Sequence, residues 1–305
     1  KFLFYAGLAA SFQSVLEDIV LKMIDQVIEL TGEKNLCFSG GVALNAVLNG
    51  KILEEKKVNL YIFPAAGDAG TAVGAALYFY YSILNKERVF YKPQILLGSE
   101  YEDKIVDQAI EFYNEKKFKK YNSDIDLVNE ISKILQENKV IGFFQGRSEF
   151  GPRALGSRSI LANPTKINMR DIINEKIKFR EAFRPFAPVI LAERAKFFFE
   201  IDKIDNYYQL ENFMLSVTNV IAQKSHLFPS AISVDKTARV QIVWKENDKN
   251  SLLRKVLEKF DQDTGLPMLI NTSFNRRGEP IVENPNDALK VFYYTDLDYL
   301  IINNY

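Results

Sequence analysis

Apolar residues recur at helical spacing from Phe12 to Ile28, through Val15, Leu16, Ile19, Val20, Met23, Ile24 and Val27, until Gly32 interrupts them. With Ser11 in front as an N-cap, this spacing predicts a packing helix ending before Gly32. Two short apolar runs follow, Asn35–Phe38 and Val58–Phe63, and both predict strands. Each runs into a glycine-bearing turn and a helix start, the first of these helices closing at Gly50. Mixed charge and Pro93 break the pattern over Asn85–Leu97, which is read as a boundary between residues 1–95 and 96–305. Beyond it the pattern predicts helices near 102–116, 125–138 and 167–178, one ending at Thr264, and one near 285–294. Strands are expected at Val140–Phe144, Ser159–Ala162, Pro188–Leu191, Met214–Val217, Ile232–Val234, Ala238–Val243, Pro267–Asn271 and the final residues, with one more between the first two helices. Such mixing points to an α/β or α+β class built on a mixed sheet.

Composition narrows the function classes. Of 305 residues 47% are apolar and 13% aromatic, enough for two buried cores. Lys and Arg number 39 and so do Asp and Glu, a balance that argues against a nucleic-acid partner, which favours a broad basic face. No apolar run approaches the ~20 residues of a membrane helix, so no membrane partner is expected and the cytoplasm is the expected location. The single cysteine, Cys37, excludes an internal disulfide framework and is expected in the core of its strand. The single histidine, His226, excludes HExxH and Cys/His metal sites and is expected to be an ordinary loop residue. Lys1 is not a start methionine and the chain opens abruptly in an apolar segment, which reads as a piece of something longer.

Candidate chemistry concentrates after the strand Val140–Phe144. The stretch Gln145-Gly-Arg-Ser-Glu-Phe-Gly-Pro-Arg-Ala-Leu-Gly-Ser-Arg-Ser159 places Arg147, Arg153 and Arg158 in a glycine-punctuated loop. Guanidinium forks bind oxyanions bidentately, and Gly146, Gly151 and Gly156 let backbone amides approach a ligand. From Arg147 to Arg184 nine basic residues, Lys178, Arg180 and Arg184 among them, face four acids, a local excess in a neutral chain. That pattern suits a small anion. Ser39, Gly40, Gly41 and Asn45 form a strand–turn–helix start of the kind that receives a nucleotide or phosphate, or else a plain tight turn. Asp68 stands among small residues at a helix start, placed for a metal, a ribose hydroxyl or simple capping. Alternation puts Asp235, Thr237, Arg239 and Gln241 on one strand face. Asn271, Ser273 and Asn275 follow an apolar strand and suit hydroxyl or base recognition, or turn formation.

Taken together, Ser39–Asn45, Gly67–Gly70, Gly146–Arg158, Phe183-Arg-Pro-Phe-Ala-Pro188, Thr237-Ala-Arg-Val-Gln241 and Asn271-Thr-Ser-Phe-Asn275 resemble the NodU/CmcH-type O-carbamoyltransferase family over nearly the whole chain. The resemblance implies that residues 1–95 are the C-terminal part of an actin-like domain. It likewise implies that residues 96–305 form a domain similar to threonylcarbamoyl-adenylate synthase. It implies a two-step reaction in which carbamoyl phosphate and ATP, with Mg2+, give carbamoyl adenylate and pyrophosphate. The carbamoyl group then passes to a hydroxyl-bearing small-molecule acceptor, helped by a divalent metal of the Fe, Mn or Zn type in the actin-like domain.

On this resemblance Arg147, Arg153, Arg158, Lys178, Arg180, Arg184 and Arg239 neutralise phosphate and pyrophosphate, Ser39, Gly40, Gly41 and Asn45 face the adenosine, and Asp68 is a metal ligand. Asn271, Ser273 and Asn275 are assigned to ligand contacts. Two departures stand out. The family's two metal-binding histidines lie in an N-terminal half that is absent here, so this chain is expected to serve mainly the first step. Where the family usually reads His-Val-Asp-Gly-Thr-Ala-Arg, this chain has Ser233-Val-Asp-Lys-Thr-Ala-Arg239. A rival reading is a regulatory module that binds nucleotide or carboxylate without turnover. A tRNA-modifying enzyme is disfavoured by the neutral charge.

Overall fold

A computed structural model describes residues 2–89, 94–115, 117–201, 209–245 and 251–305; Pro93, in the expected boundary, lies outside them. Helix α1 (Phe2–Thr31) begins well before the expected cap. Ser11 caps nothing, because its hydroxyl donates to the Gly7 carbonyl one turn back at 2.9 Å, and the apolar residues ahead of it simply continue the helix. One face packs through Leu16, Val20, Leu21, Ile24 and Ile28, while Phe12, Val15, Ile19, Met23 and Val27 are exposed.

Strands β1 (Asn35–Cys37) and β2 (Asn59–Tyr61) pair in parallel, Leu36 opposite Leu60. Leu36 and Leu60 lie on the packed face, so alternation puts Cys37 on the other, exposed one, contrary to the core position expected of it. Between them a 3-10 turn, Gly41–Leu44, leads into helix α2 (Ala46–Lys56), which runs through Gly50 instead of closing there. A Cβ at Gly50 would sit 2.9 Å from the Val217 carbonyl, so this glycine permits close approach of another segment and ends nothing. Helix α3 (Gly70–Tyr78) begins just after Asp68.

The first core is completed by residues far along the chain. Leu210, Phe213 and Leu215 pack with Ala43, Leu48, Ile52 and Ile62. Asn49 Nδ2 donates to the Ala43 and Leu215 carbonyls at 2.8 and 2.7 Å, and Val217 N donates to the Ala46 carbonyl. The strand expected at Met214–Val217 is therefore irregular backbone: Met214 has φ +56° after a 3-10 turn at Leu210–Phe213. No strand forms at Ile232–Val234 either, where a 3-10 turn at Pro229–Ala231 precedes a tight turn.

The second core surrounds a six-stranded mixed sheet in the order β10–β3–β4–β9–β5–β8. Its strands are β3 (Ile141–Phe144), β4 (Arg158–Ala162), β5 (Ala187–Leu191), β8 (Gln241–Val243), β9 (Met268–Ser273) and β10 (Tyr299–Ile302). A two-stranded pair, β6 (Thr218–Asn219) and β7 (Thr237–Ala238), stands apart. β3, β4, β5 and β8 are buried at every position, as the apolar runs of β3 and β5 require when both faces are covered, with the polar Arg158 and Ser159 of β4 and Gln241 of β8 buried alongside them. Cover comes from helix α4 (Asp103–Phe112), α5 (Asp124–Gln136), α6 (Met169–Lys176), the short α7 (Ala192–Ala195), and the helices Leu252–Thr264 and Pro285–Tyr293. No strand lies between α4 and α5 among the described residues. No described helix is long and apolar enough to cross a membrane.

Candidate anion site

Register decides where each basic side chain goes. β3 pairs antiparallel to β4 with Phe144 opposite Arg158, and β4 pairs with β9 so that Ser159 lies opposite Ser273. Arg158 is fully buried, its guanidinium 3.6 Å from the Phe144 ring centroid. Its Nη1 donates to the Gln145 and Ser157 carbonyls at 2.9 and 3.2 Å, and Nη2 to Ser99 at 3.1 Å. Both Nη atoms of Arg158 thus brace the loop, while its Nε is buried without an acceptor among the described residues. Arg147 also diverges: its Nη1 donates to the Gly98 carbonyl at 3.2 Å, its Nε lies 3.8 Å from Glu100, and it lines a separate cavity with Gln145, Ser157, Ser251 and Asn303.

The other cations converge. Lys178, buried on the strip following α6, donates through Nζ to Ser273 O at 2.7 Å, Ser273 Oγ at 3.0 Å, Asn275 O at 3.0 Å and Asn275 Oδ1 at 2.5 Å. Burial, followed by the charge of Arg180, pulls its ammonium down to about 7. Phe179, between Lys178 and Arg180, sits at φ +47°, the left-handed region that a bulky residue occupies only under constraint. Arg180 donates from Nε to Asn174 Oδ1 at 2.7 Å and stacks over Phe186. Burial and then Arg184 pull it down to about 10. Exposed Arg184 pairs with Glu181 at 2.9 Å.

Arg239 occupies the break between β7 and β8. Burial, then the charges of Arg153 and Arg180, pull its guanidinium down to about 9. Arg153, lowered by burial, reaches the first core, where its Nη2 donates to the Leu44 carbonyl at 3.1 Å. The Nε atoms of Arg153 and Arg239 are buried with no acceptor among the described residues. Arg153, Lys178, Arg180, Arg184 and Arg239 therefore form one electrostatically linked group. Glu181 is the one described carboxylate acting on Arg180, and none acts on Arg239. Like charges buried together without counter-charge are unfavourable in the free protein, and a polyanion removes the repulsion.

Several expected ligand contacts serve the architecture instead. Asn45 caps α2, accepting from Leu48 N at 3.1 Å, and its amide donates to Gln13 at 2.9 Å. Ser39 Oγ is directed to the Ala66 carbonyl at 3.4 Å and Gly40 N donates to the same oxygen. Gly40 needs its φ of +98° for this turn, and Gly41 opens the 3-10 turn that ends at Leu44, beside Arg153. Asn271, fully buried, donates to the Ala154 carbonyl at 3.3 Å and to Gln241 Oε1 at 2.6 Å. Four amides of the arginine loop do not stay free for a ligand, since Leu155, Ser157 and Arg158 donate to Glu149 and Gly156 donates to Ser159. Asp235 is not on a shared strand face with Arg239; it accepts from Thr237 N and Oγ1 in the turn.

Asp68 is exposed, and no three His, Cys, Asp or Glu side chains gather among the described residues. One carboxylate alone does not fit a divalent-metal site, and no step is assigned to a metal here. His226 is exposed in a 3-10 turn, Ala222–Leu227. Sequence reasoning missed Glu149, Asn174 and Gln241 as site-ordering residues. Glu149 and Gln241 were within recognised stretches, but no local spacing shows that their side chains turn back onto the loop.

The fold and this cluster define a mixed α/β protein in which basic side chains from several segments are brought together, most of them out of solvent. Residues 132–305 match the family model described as the carbamoyltransferase C-terminus, and residues 5–77 match that of the carbamoyltransferase N-terminus. The chain belongs to the carbamoyltransferase family. It is 40% identical to nodulation protein NolNO of Sinorhizobium fredii, over 99% of this chain and 44% of that protein. It is 39% identical to nodulation protein NolO of Bradyrhizobium diazoefficiens, over 98% of this chain and 54% of that protein. An uncharacterised Synechocystis protein is 42% identical, over 98% of this chain and 51% of its own length. The chain thus spans about half the length of the curated relatives it matches. Full-length HypF in its phosphate- and nucleotide-bound form aligns with a TM-score of 0.40 and 15% identity, over 61% of this chain and 22% of that one.

Proposed function

We propose that this chain carries the activating site of an ATP-dependent O-carbamoyltransferase. Water hydrolyses carbamoyl phosphate to carbamate and phosphate with release of a proton; a carbamate oxygen then bonds the α-phosphorus of ATP as the α–β bridging P–O bond breaks. The products are carbamoyl adenylate and pyrophosphate, and the carbamoyl group is destined for a hydroxyl of a small-molecule acceptor. The observation that supports this reading is the group of Arg153, Lys178, Arg180 and Arg239, on which Glu181 alone among the described carboxylates acts and whose buried Nε atoms at 153 and 239 lack acceptors. Cations fixed before the ligand arrives stabilise charge that grows on a departing phosphate without having to reorganise. Ser273 and Asn275 act by holding the Lys178 ammonium in place. The Gly40–Leu44 turn lies at the edge of the cluster, where an adenosine would reach the first core.

The test is pyrophosphate release by the purified chain with ATP, magnesium and carbamoyl phosphate. Release that requires all three components and is lost in Arg239→Ala is the expected result. Pyrophosphate binding without any release would instead favour a regulatory binding module.

A further inference from the structure

The loop that presents Arg153 is itself organised around a carboxylate. Glu149 Oε1 accepts from the backbone amides of Leu155 and Ser157, each at 2.7 Å, and from that of Arg158 at 3.4 Å. Amides converging on one oxygen make the concave nest that commonly receives a phosphate. Here a side chain of the same loop fills it. The carbonyl side is held from the sheet: Asn271 Nδ2 reaches Ala154 O at 3.3 Å, Gln241 Nε2 reaches Leu155 O at 2.7 Å, and Asn271 also donates to Gln241 at 2.6 Å. On the other side of Arg153, Gly151 at φ +133° passes the first core so closely that a Cβ would lie 3.2 Å from the Pro64 carbonyl. Arg153 therefore leaves the backbone between two clamped points, with its guanidinium close enough to depress Arg239.

Resting on the anion-site reading above, we infer that Glu149 is a positioning residue. Its carboxylate closes the 155–158 amide nest from within and so aims Arg153 at the bound oxyanion. It acts through Arg153 and touches no substrate. Two consequences separate this from a purely structural role. Removing Glu149 weakens anion binding only while Arg153 is present, and it does so independently of Arg239.

Inorganic pyrophosphate is the probe, titrated calorimetrically into the whole chain and its variants. Loss of charge-assisted amide bonds corresponds to about a tenfold weakening in Glu149→Ala. The same substitution on an Arg153→Ala background is expected to add less than about twofold, whereas on Arg239→Ala the full loss persists. Glu149→Gln keeps an acceptor oxygen and the side-chain shape, and is expected to recover most of the affinity; it also covers the case in which Glu149→Ala fails to fold. Faster amide exchange at Leu155 and Ser157 in Glu149→Ala, with β3 and β9 still protected, locates the change in the loop. Losses that multiply on the Arg153→Ala background would overturn the inference, as would unchanged pyrophosphate affinity in Glu149→Ala. A chain that binds no pyrophosphate before any substitution would overturn the anion-site reading itself, and this inference with it.

Discussion

Arg239 gives the sharpest test, because its effects on stability and on binding are opposite in sign. The residue is half-buried, yet its Nε is shut off from solvent without an acceptor, and its neighbours Arg153 and Arg180 bear the same charge. Its pKa is pulled down to about 9. A cation whose pKa falls on folding destabilises the fold throughout the range below that folded value. The penalty is full at neutral pH and fades as pH rises from about 9 towards the ordinary arginine value. Arg239→Met removes the charge and keeps an apolar stem of similar reach. Replacing unfavourable buried charge with apolar side chains gains about 1–4 kcal/mol in comparable cases. Taking about 2 kcal/mol, the free protein should melt about 3 °C higher at pH 7. Pyrophosphate at a hundred times its Kd adds about 2.7 kcal/mol to the unsubstituted chain, and that gain should largely vanish in Arg239→Met. Thermal melts with and without pyrophosphate measure both. A variant that melts below the unsubstituted chain in the absence of anion would refute the claim that this arginine is held against its own electrostatics for a ligand.

Lys178 is charged below about 7 and loses its proton as pH rises through that value, so its contribution to anion binding should fall between pH 6 and 8. Calorimetric pyrophosphate affinity, compared across that range with Lys178→Met, should fall more steeply with pH in the unsubstituted chain, the titration of pyrophosphate itself being common to both. Arg158→Met leaves the Gln145, Ser157 and Ser99 carbonyls without their donor, and an urea melt should show a loss of about 3 kcal/mol while the folded fraction keeps its pyrophosphate affinity within about twofold. Lys236 sits at φ +67° where the resembled family has glycine, so Lys236→Gly should stabilise by about 1 kcal/mol in the same melt, and a destabilised variant would count against the strain.

The sheet was legible because its strands are short apolar runs bounded by turn residues. Val140–Phe144 and Pro267–Asn271 fall within a few residues of β3 and β9. The failures share a cause. Met214–Val217 has the composition of a strand, but Leu215 is drawn into the first core beside Leu48 and Ile52, and Met214 turns left-handed to get there. Ser11 and Gly50 carry the residue types of helix boundaries. Neither is one, since Ser11 bonds within its helix and Gly50 gives passage to Val217. In each case a distant contact overrides a local preference, and spacing along the chain holds no record of that contact.

The same limit shapes the site. A surplus of positive charge between Arg147 and Arg184 was visible in the sequence, and it carried the expectation of an oxyanion ligand. Which charges remain unneutralised is a different property, set by pairing in space. Arg147 has Glu100, Arg184 has Glu181, and Arg158 is absorbed by three carbonyls and the Phe144 ring because the β3–β4 register places it there. Arg239, from a distant turn, joins Arg153 and Arg180 with no acid brought along. A site for a polyanion therefore cannot be recognised by counting basic residues in a loop. It is recognised by finding those that the fold has buried with no carboxylate acting on them, and by that criterion Arg153 and Arg239 are the centre of the proposed site, while Arg147, beside Glu100, and Arg158, on which Glu149 and Glu283 act, are not.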